Sequence, residues 1–353
     1  MTVSIRDVAR EAGVSAATIS RVLNGHTAVA EETRRRVAEA VERLNYVPHG
    51  GARSLITRRT ETVGVLLPDL YGEFFSELIR GIDQTARRRG FHVLVSGAHS
   101  DAAEVEAVLR ALRGRVDGLI VMSPDVDTSP ALARYGGALP IVLLDSVAEG
   151  IDLDAITIDN YGGARSMVGH LLGLGHQRIA LLGGPAHNRD ARERARGWRD
   201  ALTEAGLPAP AELVFPGDFS EASGHAAGRW LAELAPRPTA VFAANDAMAV
   251  GFLSALREIG LAVPEDVALG GFDDIPISRY LSPPLTSVRV PIAELGSRAM
   301  QHVLSLLESR EEEAAPPAVG RRDVVATKLI VRASCGALRA RTPTPSTEWR
   351  PER

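Results

Sequence analysis

Residues 5–25 read IRDVAREAGVSAATISRVLNG, and this stretch predicts two short helices joined by a tight turn. The first helix carries apolar residues at helical spacing, namely Ile5, Val8, Ala9 and Ala12. Gly13 then ends that helix, and the hydroxyl of Ser15 can accept a backbone N–H at the start of a second one. Two helices separated by about three or four residues that include a glycine are the pattern of a helix-turn-helix unit.

A third helix completes the predicted helical unit. It runs from about residue 31 to residue 45, and its apolar residues are Val37, Ala40, Val41 and Leu44. The second helix offers a matching apolar face at Ile19, Val22 and Leu23. We therefore predict an all-α helix-turn-helix headpiece, which we place at residues 1–48.

The second helix of such a unit enters the major groove of DNA, with its N-terminal residues against the base edges. The residues that this geometry turns toward DNA are Ser15, Ala16, Ala17, Thr18, Ser20 and Arg21. Arg21 is the one long donor among them, able to bind a guanine through two hydrogen bonds. An ordinary three-helix bundle with a solvated polar face fits the spacing equally well, so the spacing alone leaves both interpretations open.

The charge of the chain is divided unevenly along its length. The 353 residues carry a formal net charge of −4. Residues 1–60 contain ten arginines and six carboxylates, a net charge of +4, which leaves −8 for the remainder. A basic head on an acidic body favours nucleic-acid binding at the head, although chance also produces an excess of this size.

Cys335 is the single cysteine, so neither an intramolecular disulfide nor a cysteine-rich metal site is expected. The N-terminal residues lack the apolar core of a signal peptide, and no stretch has the length and apolarity of a membrane span. The sequence predicts a soluble, intracellular protein without a metal or a cofactor.

Buried-strand patterns alternate with helical patterns over residues 61–336. The first series of strands is predicted at 63–67, 92–95, 118–122 and 141–144, and the second at 179–182, 213–215, 240–242 and 267–270. This alternation predicts parallel sheets, and two series predict an α/β core of two doubly wound parallel-sheet subdomains. One larger sheet is the alternative, which the near-repeat of strand and helix order disfavours.

The later connections of the core are also predicted. The chain would pass between the subdomains near 156–160 and return at 286–290. A helix at 291–309 would belong to the first subdomain, and strands within 324–331 would complete the fold.

Ligands collect beyond the carboxyl ends of parallel strands. The residues at those ends are Asp69, Ser96, Ser123, Asp145, Gly183, Gly184, Pro185, Asp218, Phe219, Asn245, Asp246, Asp273 and Asp274. Such acceptors, with phenylalanines nearby, suit a polyhydroxylated ligand, because carboxylates accept hydroxyl hydrogen bonds and aromatic faces cover C–H patches. Taken singly, each aspartate fits a helix N-cap better.

The headpiece resembles that of the lactose/galactose repressor family in the runs 5–9, 12–15, 18–25 and 44–48. The resemblance implies DNA contacts by Asn24 and by a hinge helix after residue 48. In that helix Arg53 contacts DNA and Leu55 enters the minor groove as a wedge, whereas packing of Leu55 against the domain below is the alternative. Ala30 replaces the usual capping serine, a loss of about 1 kcal/mol.

The body resembles type I periplasmic sugar-binding proteins in the runs 158–160, 175–176, 183–185, 196–198, 238–242, 245–246 and 271–274. The resemblance implies effector contacts at Phe74, Phe75, Asp145, Asn188, Arg194, Phe219, Asn245, Asp246 and Asp273. Asn188 and Asp190 lie in a loop where some purine-responsive members carry a basic residue, which favours a neutral sugar over a purine. Arg189 and Arg192 leave a phosphorylated or acidic ligand open.

The resemblance also implies a domain organisation. The expected parts are a headpiece (1–48), a hinge helix or linker (49–60), an effector-binding and dimerisation domain (61–336) and a disordered tail (337–353). Within the core, the first subdomain is expected at about 61–159 and 290–322, and the second at about 160–288 and 323–336.

The function implied by the family is that of a cytoplasmic transcriptional regulator, most simply a repressor. It would bind a pseudo-palindromic operator in double-stranded DNA as a homodimer, under allosteric control by a small effector such as a sugar. A periplasmic-type solute-binding protein for sugar transport is the alternative, which fits residues 61–336 but not the headpiece. The sequence shows no nucleophile–base–acid set, so an enzyme is disfavoured.

Overall fold

In a computed structural model, the chain forms two compact units, Met1–Thr60 and Glu61–Arg353. The structure describes residues 3–23, 29–46, 59–98, 101–125, 127–135, 139–146, 150–311 and 320–337. Three of the residues expected to contact DNA, Asn24, Arg53 and Leu55, lie outside the described residues. The same holds for residues 49–58 of the expected hinge helix and residues 338–353 of the expected tail.

The headpiece contains three helices, α1 (Ile5–Ala12), α2 (Ala16–Leu23) and α3 (Glu31–Arg43). Its buried core consists of Val8, Ala9, Ala12, Ile19, Val37, Ala40 and Tyr46. Leu23 is 36% exposed, so the apolar face predicted for α2 is buried at Ile19 but not at Leu23. Leu23 lies on the same side of the helix as Ile19 but one turn further on, as the last residue of α2, where it extends past the buried residues of the described headpiece.

Local sequence signals fix the turn between α1 and α2. Gly13 adopts the left-handed conformation (φ 63°) that ends α1, and the Ser15 hydroxyl accepts a hydrogen bond from the Thr18 amide at 3.1 Å. Arg36 of α3 donates to the carbonyl oxygens of Ala12 and Gly13, which ties the turn to the third helix. Ala30 precedes α3 without a side-chain cap, as its methyl group requires.

The described residues of the range 61–337 form two six-stranded sheets. The first sheet has the order β2-β1-β3-β4-β5-β11, and the second has the order β7-β6-β8-β9-β10-β12. The strands are β1 (Thr62–Leu67), β2 (His92–Gly97), β3 (Gly118–Val121), β4 (Ile141–Leu144), β5 (Asp154–Ile158), β6 (Ile179–Gly183), β7 (Val214–Pro216), β8 (Ala240–Ala243), β9 (Ala268–Asp273), β10 (Thr286–Arg289), β11 (Arg322–Val325) and β12 (Lys328–Ile330).

Helices connect most of these strands, as crossovers between parallel strands require. They are α4 (Glu73–Arg88), α5 (Ala102–Leu112), α6 (Ser129–Tyr135), α7 (Asn160–Gly173), α8 (Arg189–Glu204), α9 (Glu221–Glu233), α10 (Asp246–Glu258) and α11 (Ile292–Glu311). Short 3₁₀ turns lie at Ala211–Leu213, Pro276–Arg279 and Ala333–Cys335. The strands β3 and β8 are buried along their whole length, as expected for sheets that helices cover on both faces.

The two sheets repeat one topology, and their neighbouring strands are parallel except at β12, which runs antiparallel to β10. The predicted helix near 291–309 is α11, which packs on α4 beside the first sheet. Residues 286–290 do not merely return the chain, because β10 is itself a strand of the second sheet. The strands predicted within 324–331 are β11 and β12, one for each sheet.

The subdomain boundary near the C-terminus therefore differs from the expectation. Strand β11 pairs with β5 of the first sheet as far as Val325, so the chain enters the second sheet after residue 325 rather than after 322. Residues 322–331 contain two short strands. Pairing with β5 places β11 in the first sheet, and pairing with β10 places β12 in the second.

Close packing of α9 on α10 depends on glycine. A Cβ atom at Gly251 would collide with the carbonyl oxygen of Glu221, and one at Gly224 would collide with the backbone of Met248. By contrast, a Cβ at Gly169 of α7 would meet no atom within 4 Å.

We expect Gly251→Ala to lower the free energy of unfolding by about 1–3 kcal/mol, because backbone atoms at the contact cannot rotate away. The matched control is Gly169→Ala, which should raise it by about 0.5–1 kcal/mol through reduced backbone entropy of the unfolded chain. Urea titrations of both variants test this pair, and equal effects of the two substitutions would contradict the packing argument.

Candidate functional site

The surface of α2 holds the described residues that were predicted to face DNA. Ser15, Ala16, Ala17 and Arg21 are exposed, whereas Thr18 and Ser20 are half-buried. The Ser15 and Thr18 hydroxyl oxygens lie 2.9 Å apart, so both take part in beginning the helix. The exposed N-terminal end of α2 therefore offers two methyl groups, and Arg21 supplies the long side chain.

The core unit contains a cavity of about 640 Å³ between the carboxyl ends of the two sheets. Loops that follow β1, β3, β6 and β8 line it, and these strand pairs are the points where the strand order of each sheet reverses. Eight of the residues expected to contact an effector line this cavity: Phe74, Phe75, Asp145, Asn188, Arg194, Phe219, Asn245 and Asp273.

Asp246 does not line the cavity, which removes it from the expected ligand contacts. Its side chain is fully buried and accepts hydrogen bonds from the Ile275 amide (3.0 Å) and from the hydroxyls of Ser278 (2.6 Å) and Ser287 (2.7 Å). The carboxylate thus ties the start of α10 to β10 and to the 3₁₀ turn after β9. The neighbouring Asn245 instead lines the cavity while its side-chain oxygen caps α10.

Arg194 lies at the floor of the cavity and is 5% exposed. Its Nε donates to the Asn160 side chain at 2.8 Å, and its Nη1 donates to the Ala244 carbonyl at 2.5 Å. Nη1 also lies 3.3 Å from Asp273 Oδ1, and the guanidinium carbon stands 3.8 Å from the centre of the Phe272 ring. The side chain is therefore held rigidly, with its charge beside Asp273.

Two further carboxylates, Asp145 and Asp190, meet at the same floor. The Asn160 amide nitrogen donates to Asp190 Oδ1 at 3.1 Å and lies 3.5 Å from Asp145 Oδ2. Burial, and then the neighbouring Asp145 carboxylate, raise the pKa of Asp190 well above its usual range. Burial likewise raises the pKa of Asp273 to about 6, although Arg194 opposes this effect.

Backbone strain concentrates around the cavity. Asp145 (φ 45°), Phe219 (φ 72°) and Asp273 (φ 103°) adopt positive φ angles, and all three line it. Such conformations cost about 1–3 kcal/mol each and persist where the surrounding structure imposes them, which is typical of ligand sites.

Hydrogen bonds cross the cavity from one subdomain to the other. The Ile277 amide donates to Glu73 Oε2 at 2.8 Å, and the Asn188 side-chain amide donates to Asp125 Oδ1 at 2.7 Å. The Arg189 amide also donates to the Pro124 carbonyl at 3.2 Å. The structure is therefore a closed form of the cleft.

Of the other residues predicted at the strand ends, Asp69, Pro185 and Asp218 also line the cavity. Ser96, Ser123 and Asp274 do not line the cavity, and Asp274 pairs with Arg289 and Arg332 instead. Arg192 donates to the carbonyls of Ala186 and His187, and Arg189 lines a separate pocket of about 190 Å³. Neither arginine therefore supplies a cation to the large cavity.

Sequence reasoning missed Asn160, Asp125 and Glu73 as parts of this site, and it noted Asp190 only as a loop residue. Each of them acts through a partner from a different strand or helix. No local pattern marks such pairs, because the partners are 30 or more residues apart and meet only in the folded sheet arrangement.

Two absences concern the described residues only. No helix in the part of the chain that the structure describes is long and apolar enough to cross a membrane. Among the same residues, no group of three or more His, Cys, Asp or Glu side chains is arranged to hold a metal ion.

Comparison with known proteins identifies both units. Residues 4–49 match the family model described as bacterial regulatory proteins, lacI family, and residues 168–335 match a periplasmic binding protein-like domain. The chain is 37% identical over 303 residues to catabolite control protein A of Priestia megaterium, across 85% of this chain and 91% of that protein. The chain belongs to the LacI family.

Other members agree with this assignment. The regulator GalR of Escherichia coli is 36% identical over 311 residues, which cover 87% of this chain and 90% of that protein. The lac repressor dimer bound to operator and the anti-inducer ONPF superimposes with a TM-score of 0.82 at 31% identity, over 95% of this chain and 99% of that one.

A complex of the transcriptional regulator CelR with cellobiose gives a TM-score of 0.70 at 33% identity, over 94% of this chain and 99% of that one. The predicted fold, a helix-turn-helix headpiece with a periplasmic-binding-protein-like core, is thereby confirmed. The family resemblance drawn from the sequence is confirmed as well.

The buried Asp246 predicts a dependence of stability on pH. Burial, and then the charge of Asp273, raise the pKa of Asp246 from 3.8 to about 8. Folding therefore takes up a proton between about pH 4 and pH 8, and the free energy of unfolding falls as the pH rises through this range. The largest slope that one such group contributes is about 1.4 kcal/mol per pH unit.

In Asp246→Asn the side chain keeps its shape, and its amide can donate to a serine hydroxyl. We expect the stability of this variant relative to wild type to increase steadily from pH 4 to pH 8. Chemical denaturation at several pH values measures the difference. A difference that stays constant over this range would show that Asp246 does not titrate there.

Proposed function

We propose that the protein is a DNA-binding transcriptional repressor whose homodimer binds a pseudo-palindromic operator under the control of a small sugar effector. The observation that carries this proposal is the cavity of about 640 Å³ between two sheets in a chain that also bears a LacI-type headpiece. A solute-binding protein for transport would have no use for that headpiece.

The lining of the cavity supports a polyhydroxylated ligand. Phe74, Phe75 and Phe219 supply aromatic surface, and the ring planes of Phe74 and Phe75 are nearly perpendicular. Arg194 and Asp273 place a donor and an acceptor side by side at the floor, an arrangement that pairs with neighbouring hydroxyl groups. Among the charged residues that line the cavity, acidic ones predominate, which disfavours a phosphorylated effector.

The contacts across the cleft suggest how the ligand acts. A ligand that bridges the two sheets favours the closed form, in which Glu73 meets Ile277 and Asp125 meets Asn188. The proposed hinge at 49–60 follows directly on the headpiece in sequence and precedes β1, so a change in the angle between subdomains changes the spacing of two hinges in a dimer. Coupling of this kind is typically worth about 1–3 kcal/mol.

We expect Arg21→Ala to weaken specific operator binding by about 1–3 kcal/mol while non-specific DNA binding changes less, because Arg21, in the last turn of α2, is the one long donor among the exposed residues of that helix. Arg35→Ala is a matched control that removes an exposed arginine from α3. Gel-shift titrations with operator and scrambled DNA measure both effects. Equal losses in the two variants would contradict the assigned role of Arg21.

We expect a sugar effector to stabilise the full-length protein and to change its affinity for operator. A ligand at about 100 times its dissociation constant adds roughly 2.7 kcal/mol to the free energy of unfolding. A thermal-shift screen of sugars, followed by gel shifts with each hit, tests the proposal. A protein that binds no operator with or without sugars would refute the repressor assignment.

A further inference from the structure

We propose that the floor of the cleft binds an ammonium group, so that the effector is an amine-bearing sugar. This inference rests on the proposed function, because it assumes that the cleft holds a sugar. It concerns three buried carboxylates, Asp145, Asp190 and Asp273, which line one end of the cavity. We call these three side chains the acidic floor.

The charges of the acidic floor are only partly balanced by its described neighbours. Asp145, Asp190 and Asp273 are 2%, 7% and 5% exposed, so solvent screens them weakly. Arg194 is the guanidinium that lies against them in the cavity, and it stands beside Asp273. With all three carboxylates ionised, the floor carries two negative charges more than Arg194 balances, and Arg189, whose charge lowers the pKa of Asp190, offsets part of this excess.

Among the described residues, Arg194 is the one arginine that lines the large cavity. Arg189 lines the smaller neighbouring pocket, which Asp145 and Asp190 also line together with the acidic Asp159 and Glu193. His187 lies 3.7 Å from Asp125. The other charged groups that line the cavity are carboxylates, namely Asp69, Glu73, Asp125, Asp218 and Glu221.

Hydrogen-bond acceptors at the floor also exceed the donors. The Asn160 amide serves both Asp190 and Asp145, and the Ile158 amide serves the other Asp145 oxygen at 3.0 Å. Asp273 Oδ1 is buried and accepts no hydrogen bond from the described residues, although the Arg194 guanidinium stands 3.3 Å away. Buried acceptors without donors are costly, so a ligand that supplies donors is favoured here.

An ammonium group supplies what the floor lacks. It carries one positive charge and three N–H donors, and it accepts none. A neutral sugar hydroxyl supplies one donor and no charge. Removing the floor from water makes this difference large, because charge pairs interact more strongly in a closed cavity than in solution.

A proton is the competing source of positive charge. The raised pKa values of Asp190 and Asp273 mean that, without a ligand, these carboxyl groups take up a proton more readily than an ordinary aspartate. If the true effector is neutral, the proton stays on the floor when the sugar binds. If the effector is an amine, the ammonium group takes the place of that proton.

The test is isothermal titration calorimetry of the full-length protein with matched sugars, at a pH below the pKa of the amine. The probes are glucosamine with glucose and N-acetylglucosamine, and galactosamine with galactose. We expect at least one amine to bind about tenfold or more tightly than its neutral counterparts, because a buried charge pair is lost in the neutral sugars.

Two variants test whether the acidic floor causes the preference for the amine over the neutral sugar. Asp190→Asn keeps the oxygen that accepts from Asn160 but removes the charge, so it should abolish most of the preference for the amine. Asp152→Asn is the matched control, because Asp152 is an exposed carboxylate that lines neither pocket, and the preference of this variant for the amine should match that of wild type. Circular dichroism and thermal unfolding verify that both variants are folded.

The outcomes separate the two proposals. If the neutral sugars bind as tightly as the corresponding amino sugars, the ammonium site is refuted, but the proposal of a sugar effector is not. An unchanged preference in Asp190→Asn would also overturn it. A protein that binds none of the sugars would overturn the sugar effector and the ammonium site together.

Discussion

The Arg194 guanidinium is the interaction on which the cleft depends. It is a buried cation that joins Asn160 at the crossing between the sheets, Ala244 after β8 and Asp273 after β9. A buried charge is stable only when its partners hold it in good geometry, and removing one partner costs about 3–5 kcal/mol. The positions of these three elements are therefore set by one side chain, which also forms the floor of the cavity.

The chain crosses between the two sheets three times, after β5, after β10 and after β11. These crossings connect the subdomains, while Glu73–Ile277 and Asp125–Asn188 join them across the cavity. Asn160 begins α7 at the first crossing and also contacts Arg194 and Asp190. The floor of the cavity therefore lies beside the first segment that connects the two subdomains, so the ligand that we propose would bind next to this connection.

The acidic floor lowers the stability of the folded chain, and the same features favour the binding of a ligand. Strained backbone at Asp145 and Asp273 and a shortage of donors both reduce the stability of the folded chain. The ligand that we propose would supply the missing donors, whereas the backbone strain would remain. Under the proposed function, the same residues would reduce stability and favour binding, as expected of a sensor whose two states differ in energy by only a few kcal/mol.

The sequence by itself determined the headpiece, the alternation of strands and helices, and the carboxyl-end positions of Asp145, Phe219, Asn245 and Asp273, because these follow from short-range periodicity and turn chemistry. The tertiary structure alone decided that 322–331 is divided between two sheets, that Asp246 lies beneath the cavity, and that Asp190 faces Asp145. Strand pairing and the direction of a buried side chain depend on partners far away in the sequence, and no local pattern contains them.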